Sequence, residues 1–488
     1  MSSSPPASAP SWATCSSRSP AASPSRSRNS DMKRAALLCL CLGGFFNLPA
    51  LAEAPPLDFA AAYREALAND ATFAAARSAQ QAARYYVPQA RAGLLPAIQL
   101  AGSTARNQAE NTTPDMFGNP ATRDIDYISQ SHQLSLRQPI WRPANLAQYR
   151  LAHAQEAYAE ALFSKEWQTL VDRLAQAYLD TLLAEQGREL ARVQKEALIG
   201  QLEQAQRFLA AGEGTRTDID EAQARHDLAE SRLIEAEYAV EIARRGLQEL
   251  LGRLPGPLAR LRDTLPLTLP EGPDGADTWV ELALEHSPEL AAQRANAEAA
   301  QREADKARAG HHPTLDLIAG RNLSESDTNN TIGSRFDTTY IGVQYMLPIY
   351  GGGGVNAGIQ IALANREKAR QQHEAAARTL ATQVRKAYAG VVSSAARIRA
   401  LAQAVRSAEN LLESTRRGFR AGVRTQIDIL NALDQHYTAQ RDHLTARHEF
   451  AKNWLLLQLH TGTLDGARLE SFSRWFEAGI DSPPQVAG

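Results

Sequence analysis

The sequence predicts a mixed α/β membrane protein made of two copies of one design: a helix, a pair of strands, then a very long helical hairpin. Three observations carry this reading. The same motifs occur twice in the same order. Two stretches, Ala144 to Leu254 and Ile349 to Ser482, contain no proline and are far longer than a globular helix needs. Four short segments of weakly alternating apolar and polar residues stand in pairs ahead of them, as strands of a membrane barrel would.

The repeat is read directly. Ala90-Arg91-Ala92-Gly93-Leu94-Leu95-Pro96 matches Ala307-Arg308-Ala309-Gly310-His311-His312-Pro313. Gln138-Pro139-Ile140-Trp141 matches Leu347-Pro348-Ile349-Tyr350. The offset between copies slips between the first and second strand of each half, which places the length change in a loop. The halves are expected at 53–270 and 271–465, with 466–488 a C-terminal tail.

The N-terminus reads as an address. Residues 1–31 are rich in Ser, Pro, Ala and Arg and bury little, so they read as disordered or as an artefact of start-site choice. From Met32, a basic start, an apolar run to Phe46 and Ala50-Leu51-Ala52 form a secretory signal over 32–52. Cys15, Cys39 and Cys41 all precede that cut, so the mature chain is expected to lack disulfide or thiol chemistry. No later run of about 18 apolar residues occurs to form a transmembrane helix. The net charge of −2 gives no reason to invoke nucleic acid.

Within each half, a helix comes first, at about 57–91 and again at about 278–309. Pro96 and Pro313 turn the chain into strands, expected at 97–107 and 127–138, then at 314–324 and 336–347. Ile341, Val343, Tyr345 and Leu347 share one face; Gly342, Gln344 and Met346 share the other. Polar stretches at 108–126 and 326–334 read as outward loops. Pro139 and Pro348 mark the corners where strands return to helices, and the neighbouring Trp141 and Tyr350 suit core packing or a membrane interface equally.

The long helices are expected at 144–208, 216–252, 355–419 and 424–460. A helix over 144–208 would run roughly 100 Å at 1.5 Å per residue, and needs partners along its whole flank. Abundant alanine and only 6% aromatic residues suit close helix packing. In the last helix Val423, Ile427, Leu430, Tyr437 and Leu444 form a broken apolar seam. Each hairpin turns at a related motif, Gly212 to Ala222 and Gly422 to Ala432, reading Gly, five residues, Asp-Ile, two residues, Ala. The Gly supplies positive φ to end one helix, and Thr-x-x-Asp offers oxygens to the first N–H groups of the next.

No catalytic constellation stands out. The glycines at 351–354 lack the Lys-Ser/Thr of a phosphate loop and suit a strand-to-helix corner. His311-His312 stand at a corner that reads Leu94-Leu95 in the other half, which favours a corner over a metal site.

The Ala-Arg-x-Gly-x-x-Pro corners, Leu-Pro-Ile-Tyr-Gly-Gly-Gly at 347–353 and Gly-x-Arg-Thr-x-x-Asp-Ile-Leu-x-Ala at 422–432 together resemble the TolC family of trimeric outer-membrane export ducts. The resemblance runs from Leu57 to about Leu464. It implies four strands per chain in a trimeric 12-stranded β-barrel above a coiled-coil periplasmic tunnel. It implies no enzyme activity and no cofactor. Its partners would be two further copies of the chain, outer-membrane lipid, a periplasmic adaptor docking near Gly212 and Gly422, and an inner-membrane ABC or proton-driven transporter. It places Asp428 at the pore entrance, with Asn431 where a better-known member has a second acid. It makes Asp218 and Arg424 a gate link, beside Phe419 where a tyrosine hydroxyl can serve. Three crowded Asp428 carboxylates would raise one another's pKa. The cargo could be proteins or small toxic molecules, drugs and metals included. From the residues alone, a soluble periplasmic coiled-coil scaffold is the rival.

Overall fold

The computed structural model describes residues 56–328 and 331–477. The start-site and signal-peptide segments and all three cysteines lie outside the described residues, as does 478–488.

The chain opens with α1 (Phe59–Asn69), α2 (Ala71–Ala83) and α3 (Tyr86–Ala92), where a single helix over 57–91 was expected. Asp70 makes the first break: its carboxylate accepts the Phe73 N–H at 2.6 Å and starts a new helix. Strands β1 (Ala97–Pro114) and β2 (Pro120–Trp141) lead into α4 (Pro143–Ala210) and α5 (Arg216–Leu251). A short β3 (Arg260–Leu261) closes the first half. The second begins with α6 (Ala276–His286) and α7 (Pro288–Arg308), split at Ser287-Pro288 because the residue before proline is driven out of helical φ/ψ. Then come β4 (Thr314–Thr328), β5 (Thr331–Met346), α8 (Gly354–Arg420) and α9 (Gln426–His460). Last are α10 (Gly466–Ser473) and β6 (Phe476–Glu477).

The strands form one antiparallel sheet in the order β1-β2-β4-β5. They run longer than expected, β2 to 22 residues, about twice what a bilayer crossing needs. The polar stretch 108–126 is therefore mostly strand, and only a tight turn joins Pro114 to Pro120. There the Asp115 carboxylate accepts the Phe117 and Asn119 N–H groups at 2.8 and 2.9 Å. Leu347 falls beyond the end of β5. Pro139, expected to mark the corner after its strand, sits inside β2 at a register shift toward β4, an irregularity of the kind proline tolerates within a sheet.

Strand register sorts the sheet into two faces. One carries Ile98, Leu100, Leu134, Leu136, Leu317, Ile341, Val343 and Tyr345. Further along, the same face carries the ion pairs Arg106–Asp126 and Arg321–Asp337. The other carries Ser131, Gln133, Ser135, Asn322, Ser324 and Gln344. Apolar outside and polar inside is the pattern of a membrane barrel wall.

The 68 residues of α4 span about 100 Å. Along this length α4 packs on α5, α7 and α9, and α8 on α6, α7 and α9, so α7 ties the two halves together. In α8 the buried stripe Leu380, Val384, Ala387, Val391, Ala395 and Ile398 follows helical spacing. Gly390 lets α9 approach closely: a Cβ there would lie 2.7 Å from the Asn453 side chain.

The main core lies at mid-tunnel, where Phe59, Tyr178, Phe450, Trp454, Phe472, Trp475 and Phe476 gather. The first part of the segment read as a C-terminal tail, 466–477, packs back on this core. Helix α10 buries Leu469 and Phe472, and β6 pairs with β3 through Leu261 and Phe476. A smaller core near the hairpin tips holds Leu198, Ala222, Ala229, Leu412, Ile429, Leu430 and Leu433. Of the expected seam of α9, Leu430 is buried and Tyr437 packs against this core, whereas Ile427 is exposed and Val423, 77% exposed, lies in the turn before the helix.

Candidate pore entrance and gate

The two hairpin tips are built alike. Helix α4 ends at Ala210 and Gly212 takes φ 77°. Helix α8 ends at Arg420 and Gly422 takes the same φ of 77°. At that φ any Cβ would be strained. Each following helix starts with a capping box. Thr215 Oγ1 accepts the Asp218 N–H at 3.2 Å while Asp218 accepts the Thr215 N–H at 3.0 Å. Thr425 and Asp428 repeat this at 3.3 and 2.9 Å. Two otherwise unpaired N–H groups are satisfied at each tip.

These bonds set the charge at the tips. The Thr425 N–H and hydroxyl, then the field of Arg424, hold the Asp428 carboxyl below its ordinary range. Within one chain the shift therefore runs opposite to the rise expected from three crowded acids.

Asp218 and Arg424 line one cavity of about 680 Å³ with Phe208, Phe419, Thr425 and Gln426. Among the described residues no ion pair joins them. Asp218 is engaged by Thr215, and the Cγ of Arg424 lies against Gly418, where a Cβ would come within 2.8 Å. Phe419 packs edge-on against Phe208 with ring centroids 5.6 Å apart, so an aromatic contact joins the hairpins where a hydroxyl bond was considered. Gln426 Nε2 donates to Gln201 Oε1 at 3.1 Å.

Polar links between the hairpins lie deeper, and of their residues the sequence had marked only Asn431. Arg225 Nη2 on α5 donates to Asn431 Oδ1 on α9 at 2.9 Å. One heptad on, Arg232 Nη1 donates to Asp434 at 3.1 Å, and Gln194 Nε2 on α4 reaches the same Asp434 oxygen at 3.4 Å. Asn431 thus holds α5, where it was expected only to line the pore. The sequence shows only that Asn431 and Asp434, three apart, share one face of α9. At the other end of the tunnel Pro96 and Pro313 immediately precede β1 and β4, and Pro348 lies in the loop between β5 and α8.

Comparison with known proteins agrees with this architecture. The model of the family described as "Outer membrane efflux protein" matches residues 62–253 and 279–463, one segment in each half. The alkaline protease secretion protein AprF of Pseudomonas aeruginosa is 35% identical over 90% of this chain and 91% of its own length. The proteases secretion protein PrtF of Dickeya chrysanthemi is 32% identical over 86% of this chain and 90% of its own. The solved outer membrane protein VceC of Vibrio cholerae shares the fold, with a TM-score of 0.69 at 21% identity, covering 83% of this chain and 96% of that one. The four-stranded sheet is the outer-membrane part and the helical tunnel stands in the periplasm, which sets aside the soluble scaffold. With both halves matched and relatives similar along nearly their whole length, the chain belongs to the outer membrane efflux protein family, the TolC-type ducts its repeated motifs resemble.

Proposed function

We propose that three copies of this chain form a passive export duct that carries polypeptide cargo across the periplasm and outer membrane. One observation carries the reading: a four-stranded sheet with an apolar outer face and open edges at β1 and β5 continues into helices about 100 Å long. Lipid does not tolerate unpaired strand edges, and three such sheets joined edge to edge leave none. Leu228, Ile234, Tyr238 and Ile242 are exposed along α5 of the single chain, as a neighbouring copy would require.

The tips would meet a periplasmic adaptor and an energised inner-membrane transporter around Gly212 and Gly422. Asp428 would ring the entrance. The Arg225–Asn431 and Arg232–Asp434 links would hold the tips closed. Polypeptide cargo is favoured over drugs or metals by the similarity to AprF and PrtF, both named for protease secretion.

The test is complementation. In a strain lacking its own duct but holding a protease-secreting transporter and adaptor, this chain should restore the extracellular protease. Restored resistance to small toxic compounds without secreted protease would reassign the duct to efflux.

A further inference from the structure

A buried carboxylate at the barrel base holds two guanidiniums. Asp316 on β4 is 1% exposed. Arg137 on β2 donates to it from Nε and Nη2 at 2.8 and 2.5 Å. Arg142, at the N-terminal boundary of α4, donates from Nε and Nη2 at 2.7 and 2.5 Å. The carboxylate is saturated and shielded, but the Arg137 side chain remains 49% exposed.

Register gives the direction these groups face. Along β2, Arg137 alternates with Leu134 and Leu136 and shares its face with Ser131, Gln133 and Ser135; Asp316 shares that face with Asn322 and Ser324. That is the polar face, the lumen side of a barrel wall. Because β2 passes into α4 at Arg142, the cluster stands where the barrel meets the tunnel.

We propose that Arg137, positioned by Asp316 beside Arg142, forms an anion-attracting ring at the barrel–tunnel joint that engages carboxylate-rich segments of passing polypeptide. The idea rests on the trimeric duct proposed above. Two guanidiniums and one carboxylate leave one net positive charge per chain, repeated around the axis. Guanidinium stays charged at any physiological pH and matches carboxylates geometrically. Arginine rings in pores favour anions. The ring lies at the opposite end of the tunnel from Asp428, so cargo would meet an acidic entrance first and a basic joint later.

The experiment is single-channel recording of the purified protein in planar bilayers, with a KCl gradient and with poly-L-glutamate as blocker. Wild type, Arg137→Gln and Arg137→Lys are compared. Arg137→Gln should shift the reversal potential toward cation preference and weaken the polyglutamate block by roughly fivefold or more, while Arg137→Lys stays near wild type. Unchanged selectivity and block in Arg137→Gln would overturn the ring. So would equal changes in Gln and Lys variants, which would mark a geometric role. A protein that sediments in detergent as a stable monomer would instead remove the duct reading, and the ring with it.

Discussion

Arg225 on α5 and Asn431 on α9 are hydrogen-bonded at 2.9 Å, joining two hairpins that are separated in sequence by half the chain. With Arg232–Asp434 it forms a ladder behind the tips. Such exposed links contribute under about 1 kcal/mol each, so a gate built on them opens easily. Arg225→Ala combined with Arg232→Ala should raise single-channel conductance. Arg424→Ser alone should change it little, since Arg424 has no ion pair with Asp218. Larger conductance from Arg424→Ser than from the double variant would return the gate to the tip cavity.

The capping boxes make the tips sensitive to acid. Asp428 has a folded pKa below its ordinary 3.8 because Thr425 bonds the charged form. Its contribution to stability is therefore present above about pH 4 and fades as pH falls through the depressed value. Hydrogen exchange over 423–428, corrected for the intrinsic effect of pH, should show protection lost only in strong acid. Asp428→Asn should show weak protection already at neutral pH. Thr425→Ala should cost about 1 kcal/mol at the same tip.

The returning C-terminal segment is a clamp. Phe472 is fully buried and packs edge-on against Phe59 at 5.1 Å, joining the last described helix, α10, to the first, α1. Phe472→Ala should lower stability by about 3–5 kcal/mol, measured as a fall in Tm of the detergent-solubilised protein. A shift of a degree or less would mean that the segment only lies on the surface.

The turn between β1 and β2 should accept foreign sequence. Met116 and Phe117 are 97% and 87% exposed at its apex. An epitope inserted between them should leave the protein assembled and be reached by antibody on intact cells. Access only after permeabilising the outer membrane would reverse the orientation of the barrel.

Much of this was legible because strong local rules act where the residues stand. The tip motifs encode their own caps: Gly212 and Gly422 take positive φ, and Thr-x-x-Asp forms the box at both tips. Missing prolines and alanine-rich stretches gave the long helices. The misses share a different cause. Strand beyond the membrane loses its apolar alternation, so β1 past Asn107 and the start of β2 read as loop. The burial of Phe472 and Phe476 depends on Phe59 and Tyr178, far away in sequence. The Arg225–Asn431 link depends on the rotation of α9, which its mixed pattern of alanine and polar residues left open. That rotation puts Ile429, Leu430 and Leu433 inward and Ile427 outward.

The central claim is that open sheet edges at β1 and β5 are closed by two further copies of the chain. Sedimentation of the protein extracted from outer membranes in mild detergent tests it most directly. The mass of protein in the complex should be three times that of one chain, and no fraction should stay soluble without detergent. A stable monomer, or a protein that remains soluble when detergent is withheld, would contradict the closed barrel and the duct built upon it.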